Sequence, residues 1–322
     1  MNRIILGNSH SPYFNLALEE CLFNEQGDDG VTLYLWQNEH TVVIGRNQNA
    51  YRECRTRLLS EEGGNLARRT TGGGAVYHDL GNLNFSFIAS KQNYNLKRQL
   101  SVIIDAVGSL GINACFTGRN DITTDDGAKF SGNAFLHNRT TSLQHGTLLL
   151  DVCMDRLGRY LAPSKEKLAS KGVDSVRSRV VNLREKNPDI TVESMTAALI
   201  SSFKAQYGET EVIRESDLDL SAVYEIEKRN ASEAWCYGGT RPYDVVLSHR
   251  FSWGEVEIKL STTGGSPRCT DISSDCMDVE FFEDVKAVFM SLENTCDNYK
   301  AELLAINDDR AAEIADWFAT VL

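Results

Sequence analysis

Three successive glycines follow two arginines in the stretch Arg68-Arg69-Thr70-Thr71-Gly72-Gly73-Gly74. Residues without side chains let backbone N–H groups converge on an anionic ligand at close range, as in nests that hold phosphate or carboxylate oxygens. The sequence around the glycines fits neither the P-loop pattern nor the dinucleotide-binding pattern. We therefore expect an anion-binding loop of another kind, with a flexible hairpin loop and solvated arginines as the alternative.

A second cluster lies further along the chain, at Asn120, Asp121 and Lys129. The ammonium of a lysine could neutralise an anionic substrate, and the oxygens of the Asn-Asp pair could bind Mg²⁺. By itself, however, Lys129 also fits an exposed lysine at the edge of a sheet.

Two more clusters contain polar residues near apolar ones. His145 opens an apolar strand, where a structural histidine is the ordinary alternative. Arg177 and Ser178 lie in the polar stretch 171–183, which alone predicts only a loop.

The charge balance excludes some classes of protein. The 322 residues include 33 Lys and Arg against 45 Asp and Glu, a net charge of −12, which repels polyanions and argues against a protein that coats nucleic acid. No apolar stretch approaches the roughly 20 residues of a transmembrane helix, and the first residues do not form a signal peptide. Eight scattered cysteines without a CxxC pair favour reduced thiols in a cytoplasmic protein without a zinc site.

The elements that must position these clusters follow from hydrophobic spacing. Residues 3–6, 31–36, 41–44, 65–69, 75–77, 83–87, 114–117, 128–131 and 142–150 have the composition of strands, and we expect 31–36 and 41–44 to form a hairpin. Helices are expected after Ser11-Pro12, over 96–108 and over 192–207, with helices dominating 154–229. The fold class is therefore α/β in the α+β sense, with mixed, largely antiparallel sheets flanked by helices.

Turn-forming residues concentrate at 237–242, after which short strands at 245–247 and 253–260 precede helices at 283–292 and 308–322. This change predicts two domains, one over residues 1–242 and a smaller one over residues 243–322.

Taken in order along the chain, the four clusters resemble the lipoate–protein ligase A family. The shared motifs are R-R-x-x-G-G-G-A-V-[FY]-H-D-x-G-N, G-R-N-D, K-x-S-G-x-A, H-G-T-L-L and K-G-[IV]-x-S-V-R-S-R-V, within a resemblance that covers nearly the whole chain. The resemblance implies a catalytic domain of the biotin/lipoate-ligase type and a small α+β C-terminal domain.

The implied reaction has two steps. (R)-Lipoate and ATP, with Mg²⁺, give lipoyl-AMP and pyrophosphate, and the lipoyl group then passes to a lysine of an acceptor protein. The implied acceptors are lipoyl domains of 2-oxoacid dehydrogenase complexes and the glycine-cleavage H protein. A cytoplasmic monomer that salvages lipoate, binding neither nucleic acid nor membrane, is expected.

The resemblance also implies roles for individual residues. Lys129 would be catalytic and bind both ligands, and Asp121 would hold the metal. The ATP site would comprise Arg69, Gly74, Ala75, Val76, Tyr77, Asn120, Asp121 and Lys129. The lipoate site would comprise Arg69, Gly74, Val76, His78, Lys129 and His145. The segment that covers the adenylate would include Arg177, Ser178 and Val180.

Several expectations concern the surroundings of this site. Tyr77 and Phe130 depart from the family pattern and could narrow the acyl pocket, whose wall we expect to include Leu16, Leu18, Val43, Val76 and Leu148. A positive rim that docks the acceptor is expected from Arg46, Arg68 and Arg177.

Three alternatives remain at this point. An octanoyl transferase of the same fold would need a cysteine nucleophile, for which Cys153 is the nearby candidate. A biotin ligase shares the fold class, although Gly45-Arg46-Asn47 is a short match to its basic loop. A regulator that binds lipoate or a nucleotide without chemistry is the third.

Overall fold

The computed structural model describes residues 1–27, 30–117, 120–161, 180–238, 245–261, 267–293, 295 and 297–321. Its strands are β1 (Asn2–Leu6), β2 (Val31–Trp36), β3 (Thr41–Ile44), β4 (Asn65–Arg68), β5 (Val76–His78), β6 (Asn82–Ser90), β7 (Ala114–Thr117), β8 (Asp121–Thr124), β9 (Lys129–His137), β10 (Thr141–Leu149), β11 (Thr210–Arg214), β12 (Val245–Arg250), β13 (Glu255–Ser261) and β14 (Arg268–Ser274).

The helices follow the same chain order. They are α1 (Pro12–Glu25), α2 (Ala50–Glu53), α3 (Thr56–Glu61), α4 (Leu96–Ser109), α5 (Met154–Tyr160), α6 (Leu183–Lys186), α7 (Val192–Tyr207), α8 (Ser221–Asn230), α9 (Glu233–Cys236), α10 (Val279–Ser291), α11 (Tyr299–Ala305) and α12 (Asp309–Val321), with a 3-10 turn at Glu215–Asp217. None of the helices in these ranges combines the length and apolar character of a membrane span.

The largest sheet in the described residues has eight strands in the order β11-β1-β2-β6-β10-β9-β8-β7. β1 runs parallel to both of its neighbours, β11 and β2, whereas the remaining pairs are antiparallel. The mixed sheet flanked by helices confirms the predicted fold class. β11 itself was missed, because three of the five residues in its sequence Thr-Glu-Val-Ile-Arg are polar.

Helices cover the eight-stranded sheet on both faces. Leu100 and Ile103 of α4 and Phe203 of α7 pack in the core on one face. α1 packs in the core on the other face, where Ser11 caps its first turn and Pro12 begins it. The pocket described below lies on the α1 face.

The predicted hairpin of β2 and β3 is wrong. β2 lies in the eight-stranded sheet beside β6, whereas β3 is the central strand of a separate sheet in the order β4-β3-β5. The connecting residues include Asn38, whose side chain is fully buried. A turn that carries a buried amide ties two sheets together, and the strand pattern alone does not show which neighbour each strand takes.

The C-terminal strands β12, β13 and β14 form a third sheet, covered by α10, α11 and α12. This unit has its own hydrophobic core, including Ile258, Phe282 and Phe318, each essentially inaccessible. The predicted domain boundary at residue 242 lies outside the described residues, so the division stays a prediction.

Candidate active site

A pocket of about 280 Å³ opens between the large sheet, the small sheet of β3 to β5 and the C-terminal unit. It brings together most of the residues that the motifs predicted, although they lie as far as 76 positions apart in sequence. The predicted residues that line it are Arg69, Gly74, Ala75, Val76, His78, Asn120, Asp121, Lys129 and His145.

The residues 70–75, here called the glycine loop, are held from beneath by Arg69. The Arg69 guanidinium is buried and donates to the carbonyl oxygens of Gly72 (2.7 Å) and Gly74 (2.8 Å) and to the Thr71 hydroxyl (2.9 Å). A further bond reaches the Val43 carbonyl at 3.3 Å. Gly73 has a φ of +91°, a conformation that favours glycine. Because its N–H groups are used in this way, Arg69 sets the shape of the loop.

Burial lowers the pKa of Arg69 to about 10, still well above neutrality. The guanidinium therefore remains a cation at the pocket wall. Its charge acts on an anion in the pocket through a medium of low dielectric constant, which strengthens the attraction.

Lys129 is the first residue of β9, at a point where the pairing with β8 shifts register. Ile122 opposes Ser131 and Thr123 opposes Lys129, so Phe130 is the extra residue of a β-bulge. Such bulges re-aim neighbouring side chains. A methyl group at Gly132 would stand 3.1 Å from Lys129 Nζ, which means that the ammonium lies over this glycine.

Asp121 forms an ion pair with Lys129, with 2.7 Å between Oδ1 and Nζ. Both side chains keep about a third of their surface exposed, so the pair is open to ligands from the pocket. Asn120 is fixed beside it by reciprocal bonds with Asn133, since each side-chain amide donates to the other residue's carbonyl.

His145 belongs to a buried chain of hydrogen bonds. Its Nδ1 donates to the Glu19 carboxylate at 2.8 Å, and its Nε2 lies 2.9 Å from the Thr71 hydroxyl. Thr71 also accepts from Arg69. Helix α1, strand β10 and the glycine loop are thus joined through polar groups that are all buried.

His78 is buried, and Asn38 Nδ2 lies 3.1 Å from its Nδ1. Burial, together with the neighbouring charges of Arg69 and His145, lowers the pKa of His78 to about 3. The imidazole is therefore neutral in the working protein.

The floor of the pocket is a row of residues that crosses five strands. Trp36 pairs with Asn84, Asn84 with Thr147, and Gly132 with Asp121. The row is continuous because the Gly132 N–H donates to the Thr147 hydroxyl at 3.3 Å. All five residues line the pocket, so the row leads from the Lys129–Asp121 pair towards Trp36 and His78.

Three expectations about side chains need correction. Tyr77 is buried against Tyr160, with 5.7 Å between ring centroids, and Phe130 lies in the core; neither ring lines the pocket. Arg68 is not on a rim, since it is buried and donates to the backbone carbonyls of residues 45, 46, 48, 235 and 236. Alternation along strands β4 and β5 puts the side chains of Arg68 and Tyr77 opposite the pocket, whereas Phe130 enters the core from the bulge in β9.

The other expectations have mixed outcomes. Leu16, Val43 and Val76 line the pocket, whereas Leu18 and Leu148 lie in the cores. Arg177 and Ser178, with most of the stretch 171–183, lie outside the described residues. Val180 pairs with Lys129 as an isolated parallel bridge.

The contribution of the C-terminal unit was not predicted from the sequence. Arg250, Asp275 and Met277 line the pocket, and Arg250 pairs with Asp275 at 2.8 Å. The Gly73 N–H donates to the Cys276 carbonyl at 3.0 Å, which fixes the glycine loop against this unit. These contacts join residues some 200 positions apart, and no local motif marks them.

Among the residues that the structure describes, no group of three or more His, Cys, Asp or Glu could hold a metal ion. Two carboxylates line the pocket: Asp275 is paired with Arg250, and Asp121 is paired with Lys129. Mg²⁺ commonly takes one or two protein carboxylates and completes its shell with phosphate oxygens and water, so Asp121 fits a metal that accompanies a nucleotide.

Residues 11–204 match the family described as the lipoyl protein ligase A/B catalytic domain. Among solved structures, P. falciparum LipL1 in complex with lipoate has a TM-score of 0.84 and 29% identity, and the match covers 99% of both chains. A bi-partite lipoate protein ligase of Thermoplasma acidophilum, described with its E2 lipoyl domain, has a TM-score of 0.65 and 28% identity over 76% of this chain and 99% of that chain. A lipoate-protein ligase A bound with ATP gives 0.63 and 26% over 74% of this chain and 98% of that chain.

Proposed function

The chain belongs to the lipoate–protein ligase family, and on that premise we propose that it activates lipoate with ATP and transfers the lipoyl group to a lysine of an acceptor protein. The observation that carries this proposal is the ammonium of Lys129, which lies over Gly132 in the same pocket as the glycine loop. Two anions must meet there for the first step, and this cation shares the pocket with the loop that would hold one and the apolar side chains that would hold the other.

In the first step, a carboxylate oxygen of lipoate attacks the α-phosphorus of ATP. The bond from that phosphorus to the bridging oxygen breaks, and pyrophosphate leaves with the electron pair. Lys129 neutralises the repulsion between the carboxylate and the phosphate and stabilises the charge that develops on their oxygens. The Gly73 N–H is taken by the Cys276 carbonyl, so the other N–H groups of the glycine loop, with the nearby charge of Arg69, would position the phosphates.

We further propose that Asp121 provides the protein ligand for Mg²⁺ on the phosphates of ATP. Binding of the nucleotide would then compete for the carboxylate that pairs with Lys129. Asp121 leaving the pair would free the ammonium for the lipoate carboxylate. Magnesium would supply charge neutralisation for the departing pyrophosphate.

In the second step, the amine of the acceptor lysine attacks the acyl carbon of lipoyl-AMP and loses a proton, and AMP leaves. No protein nucleophile is required. The Thermoplasma acidophilum relative is described with its E2 lipoyl domain. This supports lipoyl domains as acceptors, and the glycine-cleavage H protein is included in the proposal through the family resemblance.

We retain two proposals about the larger parts of the chain. Residues 1–242 would form the catalytic domain and residues 243–322 an accessory domain, in keeping with the separate core of the C-terminal unit. The stretch 171–183, with Arg177, Ser178 and Val180, would cover the adenylate. The bridge between Val180 and Lys129 supports a position beside the pocket for the end of this stretch.

The proposal is tested with Lys129→Ala. We expect lipoate-dependent exchange of pyrophosphate into ATP to fall roughly 100- to 1,000-fold, because an electrostatic group of the transition state is removed. A lipoyl-sized mass gain on an added lipoyl domain should disappear with it. Lys204→Ala, at an exposed lysine of α7, is the matched control and should retain both activities.

The same experiment separates the ligase from an octanoyl transferase. In the described residues no cysteine lines the pocket, and Cys153 is exposed at the start of α5. If the wild-type protein shows no pyrophosphate exchange but transfers octanoyl groups from a carrier protein without ATP, the ligase proposal is refuted. Cys153 would then be the candidate nucleophile of an octanoyl transferase.

A further inference from the structure

A second cavity, of about 330 Å³, lies between the segment 46–49 that follows β3 and the C-terminal unit, and is here called the interface cavity. The wall on the side of the C-terminal unit is formed by residues 270–273 of β14 and by Glu283, Lys286 and Met290 of α10. Among the described residues, none lines both this cavity and the pocket that contains Lys129. The interface cavity is therefore separate from the candidate active site.

Arg46 is held in the wall of this cavity by an aromatic ring. Its guanidinium carbon lies 4.5 Å from the centroid of the Trp235 ring, which is a cation–π contact. Its Nε lies 3.5 Å from Glu283 Oε1, a long ion pair, and a third of the Arg46 side chain stays exposed. The guanidinium therefore has a fixed position and keeps N–H groups available for a ligand.

Lys286 is the second cation of the wall, and it forms no hydrogen bond or ion pair with another residue in the described part of the chain. The other carboxylate among the lining residues, Asp271, lies 2.9 Å from Lys259 Nζ. Because both carboxylates of the wall already have basic partners, the charge of Lys286 is uncompensated. Such a local cation attracts anions even though the net charge of the whole chain is −12.

Two buried amide groups in the same wall have a nitrogen without a partner among the described residues. Gln48 is 4% exposed, and its Oε1 accepts from the Gly45 N–H at 2.8 Å, so Nε2 belongs to the donating NH₂ group. This nitrogen has no acceptor, and neither has Nδ2 of Asn47, which is 7% exposed. Buried donors in folded proteins are nearly always paired. The wall thus presents donors that an anion could satisfy.

Main-chain hydrogen bonds tie the interface cavity to the glycine loop. The Arg46 N–H donates to the Thr71 carbonyl at 2.8 Å, and the Ser274 N–H donates to the Asn47 carbonyl at 2.9 Å. The glycine loop is itself bonded to the Cys276 carbonyl, two residues after Ser274. A ligand that bridges the two walls of the cavity would therefore hold the C-terminal unit against the glycine loop.

We propose that the interface cavity is a second ligand site, which binds a phosphate-containing anion and thereby stabilises the contact between the glycine loop and the C-terminal unit. A tetrahedral phosphate offers acceptor oxygens in several directions, to a guanidinium, an ammonium and amide groups, whereas a carboxylate has two oxygens in one plane. The volume of the cavity also leaves room for the organic part of a phosphate ester. The site does not depend on the proposed ligase activity.

The test uses inorganic phosphate as the probe, at constant ionic strength with chloride as the balancing anion. Its Kd is determined by calorimetric titration, and hydrogen exchange of the peptide that contains Gly73 reports the contact with the C-terminal unit. At ten times its Kd, phosphate should slow this exchange about tenfold, because the ligand must leave before the contact opens. Rates that do not change with phosphate would overturn the proposal. An effect of acetate equal to that of phosphate would overturn the assignment to phosphate.

Lys286→Gln assigns the effect to the interface cavity. Loss of a charged hydrogen-bond donor should raise the Kd for phosphate about 10- to 100-fold. Lys300→Gln is the matched control, since it removes the same charge from an exposed lysine of α11 that does not line the cavity. It should bind phosphate as wild type does, and equal Kd values in the two variants would contradict the assignment.

Lys129→Ala distinguishes the two anion sites. This variant lacks the cation of the candidate active site, so it should retain the slowing of hydrogen exchange by phosphate. A response that is lost in Lys129→Ala and kept in Lys286→Gln would place the phosphate in the active site and refute the interface site. A normal phosphate response in a wild-type protein that shows no lipoate-dependent pyrophosphate exchange would support the interface site and refute only the proposed function.

Discussion

Arg69 and His78 are basic residues that are both buried in the pocket wall, where an unpaired charge would be unfavourable. Arg69 remains charged and donates to carbonyl and hydroxyl oxygens, whereas His78 is neutral. Buried charges need such partners, because an unpaired ion in a protein interior is very costly. The pocket wall therefore contains one fixed cation and one neutral imidazole.

The neutral state of His78 predicts a dependence of stability on pH. An unfolded histidine titrates near 6.5, while the folded pKa is about 3. Between these two pH values, the histidine is protonated in the unfolded state but not in the folded state. The free energy of unfolding therefore has its highest value above pH 6.5 and falls as the pH drops towards 3. The loss approaches about 4 to 5 kcal/mol at the lower end.

Urea unfolding at pH 7 and pH 5 measures this loss. His78→Gln should reduce the difference between the two pH values, since glutamine does not titrate. His10→Gln, at an exposed histidine, is the control and should retain the wild-type difference. An unchanged pH dependence in His78→Gln would contradict the assignment.

Motifs predicted which residues would meet in the pocket, but not what each side chain does there. Arg69 was expected to contact the nucleotide, and the structure shows its N–H groups on the glycine loop instead. Tyr77 follows Val76 within the motif, yet strand alternation turns its ring into the core. The role of Asn38 beside His78 could not be predicted, because an isolated asparagine is as common in turns as in buried networks.

At the scale of elements, the geometry of β9 decides where Lys129 points. The bulge at Phe130 and the absence of a side chain at Gly132 together give the ammonium its place over the sheet. Sequence periodicity predicted a strand at 128–131, and the strand extends from Lys129 to His137. A one-residue bulge has no periodic signature of its own, so its effect on Lys129 is visible only in the paired strands.

Gly132→Ala tests this arrangement. The new methyl group would stand 3.1 Å from Lys129 Nζ, and the flexible side chain can move aside without unfolding the strand. Pyrophosphate exchange should fall roughly 10- to 100-fold, since small misplacements of a catalytic group are costly. The thermal midpoint should stay close to that of wild type.

Gly108→Ala is the matched control for this substitution. Gly108 lies inside α4, and no atom stands within 4 Å of an added methyl group. Alanine should raise helix stability by about 0.5 to 1 kcal/mol and leave exchange unchanged. Full activity in Gly132→Ala would show that Lys129 does not need its present position.

At the scale of the whole molecule, the glycine loop touches the C-terminal unit directly. A methyl group at Gly72 would collide with the carbonyl oxygen of Cys276 and stand 2.8 Å from that of Met277. Backbone atoms cannot move aside as a side chain can. The absence of a side chain at residue 72 therefore permits this contact, in addition to any anion binding at the loop.

Gly72→Ala should consequently separate the glycine loop from residues 276 and 277. Hydrogen exchange of the peptide that contains Gly73 should accelerate about 10- to 100-fold, because the Gly73 bond to the Cys276 carbonyl is lost. In Gly74→Ala, where no atom stands within 4 Å of the new methyl group, hydrogen exchange of the same peptide should remain slow. Equal hydrogen-exchange rates in the two variants would show that the contact with residues 276 and 277 does not hold the glycine loop.

The pairing of β1 with β11 has a consequence during synthesis of the chain. β2 covers one edge of β1 early, but the other edge waits for residues 210–214. At translation rates of about 5 to 20 residues per second, this wait lasts roughly 10 to 40 s. Throughout it, the nascent chain presents an uncovered strand edge that can pair with another polypeptide. Ribosomes that stall before residue 210 would therefore release an aggregation-prone fragment, and the last strand of the large sheet protects the first.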